Sequence, residues 1–164
     1  MCTETFTSTS APIQNAAVRA FQEGPEIEAY LQKSRRVLKA LGNAAARRLD
    51  EGGARVRYPQ GGFYLFPDFS AFRGKLEARG IKTSADMSRR LLEDTGVAFL
   101  PGSEFGRSPE EFTARLAYVD FNGREALEAA GALPEDQPLD ENFLKAHCGN
   151  VTEAIDRINE WMNR

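Results

Sequence analysis

Between positions 25 and 51 the apolar residues Ile27, Tyr30, Leu31, Val37, Leu38, Leu41, Ala45 and Leu49 recur at the spacing of one helical face. Pro25 stands at the start, where a missing N–H is harmless, and Gly52-Gly53 supplies the stop. At about 1.5 Å per residue this helix runs roughly 40 Å. A compact globule of this chain length has a radius of gyration of only about 15 Å. The pattern therefore predicts a rod that joins this domain to something else.

Shorter elements flank the rod. Ser10-Ala-Pro12 opens a helix whose apolar face is Ile13, Ala16, Ala17, Ala20 and Phe21. Ala54–Tyr58 alternates like a half-buried strand, Pro59-Gln-Gly-Gly62 reads as a turn, and Phe63–Phe66 is strand-like, so the three together predict a hairpin. Ser70 is read as the cap of a helix carrying Phe72 and Leu76 and ended by Gly80. Thr83-Ser-Ala-Asp86 has capping-box spacing for a helix with Met87, Leu91 and Leu92 inward and Gly96 as stop. Val97–Leu100 is a short apolar strand ending at Pro101-Gly102, and Ser108-Pro-Glu-Glu111 predicts a single capped turn. In the strand Ala114–Val119, Arg115, Ala117 and Val119 share one face and Leu116 and Tyr118 the other. Three helices close the chain, capped by Asn122, Asp140 and Asn150, the last with Val151, Ile155, Ile158 and Met162 on one stripe. This order predicts an α/β (α+β) two-layer sandwich: a small, mainly antiparallel sheet covered by helices, with a long N-terminal helix.

Composition narrows the function. At 164 residues the chain can bury a core without disulfide or metal support. Its 21 basic and 24 acidic residues leave a net charge of −3, which argues against a nucleic-acid partner. No apolar run reaches the ~18 residues of a membrane span, and the first residues lack the basic start and apolar core of a signal peptide. Cys2 and Cys148 form no metal-binding pair and His147 is the single histidine, so no zinc site is expected. Cytoplasmic location with free thiols is the reading.

No acid–base or nucleophilic set stands out. Glu23, Glu26, Glu28, Asp120 and Glu125 suit helix starts and solvated faces. His147 and Cys148 are adjacent, so their side chains point apart on a helix. Gly102-Ser-Glu-Phe-Gly106 and Gly61-Gly62 match no phosphate-loop pattern. Arg115 is the odd residue, a guanidinium inside an apolar strand. It either reaches solvent or a nearby acid, or awaits a ligand carboxylate, which its planar fork suits.

Four of these segments, in order, resemble the C-terminal part of fold-type I, class I/II pyridoxal-phosphate aminotransferases, the family of the aspartate and aromatic enzymes. Ser8–Ala17 resembles the loop and helix that close the family's large domain. Pro59-Gln-Gly-Gly-Phe-Tyr-Leu-Phe-Pro67 resembles its hairpin. Val97–Gly106 resembles its PG..FG segment, and Ala114–Tyr118 the strand bearing the substrate arginine. The resemblance implies that residues 1–24 belong to the end of the large domain, 25–53 to the interdomain helix and 54–164 to the small domain. It implies Arg115 as the ligand of the substrate α-carboxylate, with an amino acid and a 2-oxo acid as substrates.

The resemblance also implies pyridoxal phosphate in the complete enzyme, bound by a large-domain lysine. Lys33, Lys39, Lys75, Lys82 and Lys145 do not occupy that lysine's context. The chain alone is therefore expected to bind no cofactor and to be catalytically incomplete. It is expected to self-associate or to pair with a missing large domain. The other reading is a non-catalytic protein-interaction module that kept the fold.

Overall fold

The computed structural model describes residues 9–22 and 24–164. Ser8, Cys2 and Glu23 of the sequence reading lie outside the described residues. The helices are α1 (Ala11–Ala20), α2 (Pro25–Glu51), α3 (Arg73–Ala78), α4 (Ser84–Thr95), α5 (Gly123–Gly131), α6 (Glu141–His147) and α7 (Gly149–Asn163). The strands β1 (Tyr64–Leu65), β2 (Leu100–Pro101) and β3 (Ala114–Ala117) form one antiparallel sheet in the order β1-β3-β2. This is the two-layer α/β arrangement that the hydrophobic pattern predicts. Among the described residues, no helix is long and apolar enough to cross a membrane.

The helices cover one face of the sheet. Leu65 and Leu116 pair across β1 and β3 and point into the core with Ala114 and Tyr118. There they meet Leu41 and Leu49 of α2, Met87 and Leu91 of α4, and Ile155, Ile158 and Trp161 of α7, all fully or almost fully buried. Burying an aliphatic side chain of this kind stabilises by about 1.5–3 kcal/mol. The buried residues of α2 begin only at Val37. Its N-terminal turns, with Tyr30 on the surface, project beyond the core, as the length argument requires.

Local signals set most of the boundaries. The hydroxyl of Thr83 accepts the Asp86 N–H at 3.1 Å, and the Asp140 carboxylate accepts the Phe143 N–H at 2.9 Å. Asn122 accepts from the Glu125 N–H, and Gly96 ends α4 in the left-handed region at φ 74°.

Five expectations are corrected. Residues 54–66 make no hairpin: Arg55 pairs instead with Asp68, and β1 pairs with β3. Pro59 and Pro67 lack the N–H donors that a continuous ladder would use, and Pro67 gives only its carbonyl, to the Ala114 N–H at 3.2 Å. Ser70 does not cap the next helix but is the first residue of a 3-10 turn, Ser70–Phe72, and the Asp68 carboxylate accepts its N–H at 2.8 Å. Leu92 lies on the exposed side of α4, where Ser84 and Ser88 take the inner positions. Asn150 sits inside α7, which begins at Gly149 directly after the kinked Cys148. The strand predicted from Val97 pairs only from Leu100, because the Val97 N–H is taken by the Thr95 hydroxyl at 3.2 Å.

Candidate functional site

Among the described residues, the sheet's second face has no helix over it. Tyr64 pairs with Ala117 and Leu100 with Arg115. The two-residue alternation therefore puts all four on that outer face. Tyr64, Phe66, Leu100, Phe105 and Val119 are each about 40% exposed or more, and Arg115 is half-buried among them. Apolar side chains left this open in a contiguous patch mark a surface that meets a ligand or another protein.

Arg115 is the charged centre of the patch. Its guanidinium carbon lies 4.4 Å from the Tyr64 ring centre and 4.4 Å from that of Phe105. The sheet order brings these rings in from opposite flanks of β3, Tyr64 from β1 and Phe105 from the turn after β2. Each ring rests on a second one: Phe105 meets Phe66 edge to face at 6.0 Å, and Tyr64 meets Phe63 at 4.4 Å. Among the described residues no carboxylate or carbonyl accepts a hydrogen bond from Arg115, and none of its nitrogens is sealed from solvent. Of the outlets that the sequence left open, a nearby acid is not the one taken among the described residues: two rings flank the guanidinium instead.

The glycine-rich segments explain how the rings arrive. The Gly102 N–H donates to the Thr113 carbonyl at 2.8 Å, and a Cβ on Gly102 would overlap the Thr113 hydroxyl. That close approach pins a 3-10 turn over Gly102–Phe105 beside β3, and Gly106 leaves it in the left-handed region at φ 76°. On the other flank the Tyr118 hydroxyl donates to the Gly62 carbonyl at 3.1 Å, tying the Pro59–Gly62 turn to β3. Burial raises the Tyr118 pKa, so the phenol stays a donor.

The remaining candidates do not join this site. His147 packs at a tilt against Phe143, and Cys148 is a fully buried thiol whose pKa desolvation pushes up to about 11. Such a thiol is no nucleophile near neutral pH. Among the described residues no cluster of His, Cys, Asp and Glu could hold a metal. Tyr64 and Phe105 were legible as parts of motifs but not as partners of Arg115, because only the sheet order brings them together.

Residues 2–129 match the family model for aminotransferase class I and II. The aspartate/prephenate aminotransferase of Cereibacter sphaeroides is 34% identical over 122 residues, 73% of this chain and 30% of that protein. The aspartate aminotransferase of Rhizobium meliloti is 37% identical over 134 residues, 77% of this chain and 31% of that protein. The crystal structure of an aromatic aminotransferase from Pyrococcus horikoshii matches 92% of the chain with a TM-score of 0.61 at 23% identity, covering 31% of that structure. That of an aspartate aminotransferase from Thermotoga maritima matches 99% with a TM-score of 0.53 at 22% identity, again over 31%. These two likenesses concern the fold. The chain thus spans under a third of the length of these relatives.

The residues described here do not by themselves fit a pyridoxal phosphate site. All five lysines are exposed. Lys39 lines an open cleft of about 480 Å³ beside the Pro59–Gly62 turn, and Lys75 is engaged with the Asn163 carbonyl at 2.9 Å. A lysine that forms an imine with an aldehyde cofactor is typically one that burial keeps from ordinary protonation.

Proposed function

The chain belongs to the aminotransferase class I and II family, and we propose that it acts as the small domain of such an enzyme, with Arg115 receiving the substrate's α-carboxylate. The observation that carries this reading is a half-buried guanidinium, held on an open sheet face, whose N–H donors have no acceptor among the described residues. Desolvating such a group is costly unless a partner arrives. A carboxylate answers two of its donors at once.

The proposal assigns residues 1–24 to the end of the large domain, 25–53 to the interdomain helix and 54–164 to the small domain. Exposed Ile13, Val18, Phe21 and Tyr30 on α1 and the early turns of α2 are in keeping with cover by a large domain or by a second copy of the chain. The substrates are an amino acid and a 2-oxo acid. In the complete enzyme pyridoxal phosphate, held by residues outside this chain, would supply the electron sink for amino-group transfer. This chain's part is to bind and orient the carboxylate and to close over the site as a domain. Without a suitable lysine of its own, the chain alone is inactive. We assign it to the cytoplasm, in keeping with the buried free thiol of Cys148.

Titration with propionate at constant ionic strength, followed by amide NMR, tests the arginine. Signals of Tyr64, Leu100, Phe105 and Ala117 should move, and should stay still in Arg115→Gln. Arg115→Ala should cost the fold within about 1 kcal/mol, as expected for a partly exposed charge held in no ion pair. Equal movement in Arg115→Gln, or unfolding of Arg115→Ala, overturns the assignment.

A further inference from the structure

We infer that Tyr64 and Phe105 are positioning residues that hold the Arg115 guanidinium with its rim of N–H donors turned to the incoming carboxylate. The inference rests on the reading of Arg115 given above.

A surface arginine usually explores many rotamers, and a ligand that needs one of them must offset that loss of freedom. Arg115 differs in having an aromatic ring on each flank of its strand, each 4.4 Å from the guanidinium carbon. Ring faces attract a cation but accept no conventional hydrogen bond, so they restrain the group and leave its donors free. A carboxylate neighbour would restrain it equally well and occupy the same donors. The rings thus solve a particular problem: holding a cation still without satisfying it.

Core packing does not account for the two rings. Tyr64 is 43% exposed and Phe105 39%, on the face opposite the core. Their backing by Phe63 and Phe66 fixes ring orientation on a surface where the apolar area gains little from burial. Both rings also come from glycine-bearing segments, Gly61-Gly62 and Gly102 to Gly106, whose backbone conformations set where the rings fall. Two separate stretches of chain therefore converge on one guanidinium.

The test is an NMR titration of this chain with sodium propionate, chloride keeping the ionic strength constant, read at the Arg115 Hε–Nε signal. In the unliganded protein that signal should already sit upfield from ring currents. Its propionate-dependent displacement should fall roughly threefold in Tyr64→Leu and in Phe105→Leu, the loss expected for one surface cation–π contact. Tyr64→Phe, which keeps the ring, should behave as the parent. Thermal melts check that each variant folds, and the upfield position in the parent needs no variant at all. An Arg115 signal at an ordinary shift overturns the inference. So does undiminished displacement in both leucine variants, and in that outcome Arg115 keeps its assignment. No displacement in the parent removes both.

Discussion

Gly42 and Tyr118 occupy one space: a Cβ on Gly42 would stand 2.7 Å from the Tyr118 hydroxyl oxygen and 2.9 Å from Pro59 Cγ. The missing side chain lets the phenol pass across α2 and reach the Gly62 carbonyl at 3.1 Å. Helix, strand and turn are locked at that point, directly behind the flank that carries Tyr64. Gly42→Ala should therefore destabilise the protein by about 1–3 kcal/mol through overpacking. That loss outweighs the gain of roughly 1 kcal/mol that alanine brings to a helix interior. Urea unfolding measures it. A stabilised Gly42→Ala protein would mean that Tyr118 does not lie against the helix.

Arg36 is expected to be worth more than its surface position suggests. Its guanidinium donates to the carbonyls of Ala130 at 2.8 Å, Pro134 at 2.7 Å and Gln137 at 2.5 Å. It thereby caps α5 and holds the connector to α6 against α2. Arg36→Ala should cost about 1.5–3 kcal/mol, and Arg36→Lys should recover only part of it, because an ammonium cannot span the same fork. Hydrogen exchange should speed up around residues 132–139 in both variants. Protection equal to the parent's would contradict the bracing role.

Cys148 gives stability an alkaline limit. Burial pushes its pKa from 9.0 up to about 11, so the folded chain holds the thiol proton more tightly than the unfolded chain does. The sign follows directly: the contribution is complete below pH 9 and is lost as the pH rises from 9 towards about 11. Its size is on the order of 2–3 kcal/mol. Tyr118, whose pKa burial also raises, acts in the same direction. Urea midpoints recorded from pH 7 to 11 should fall more gently in Cys148→Ala than in the parent. Parallel profiles would show that the thiol is not desolvated.

The lysines predict a labelling pattern. All five are exposed and none lies in a closed site, so treatment with pyridoxal phosphate and borohydride should give weak labelling scattered over several of them. Peptide mapping by mass spectrometry reads the result. Stoichiometric labelling of a single lysine would show that the chain carries a cofactor site of its own.

Much of this was open to reading in the sequence because the signals are local. The bounds of α2 followed from Pro25, the apolar face and Gly52. The starts of α4, α5 and α6 followed from Thr83, Asn122 and Asp140, each of which accepts a backbone N–H three residues on. Alternation along β3 separated Arg115 from the core, with Leu116 and Tyr118 buried on the other side. What escaped depends on distant partners. Residues 54–58 have strand character, but whether they pair with residues 63–66 or with Asp68 is decided by where Pro67 interrupts the ladder beside β3. Leu92 and Ser88 exchange inner and outer places because the facing surface, not periodicity alone, chooses the buried side of α4. The rings around Arg115 depend on the β1-β3-β2 order, which no short-range pattern encodes.

The central claim, that Arg115 is the carboxylate ligand of the small domain, is tested most directly by a crystal structure of this chain soaked with a 2-oxo acid such as pyruvate. The account predicts a carboxylate lying in the plane of the Arg115 guanidinium, both oxygens within hydrogen-bond reach of its nitrogens, with Tyr64 and Phe105 unmoved beside it. A carboxylate bound elsewhere while Arg115 turns to an acid of its own chain would contradict it.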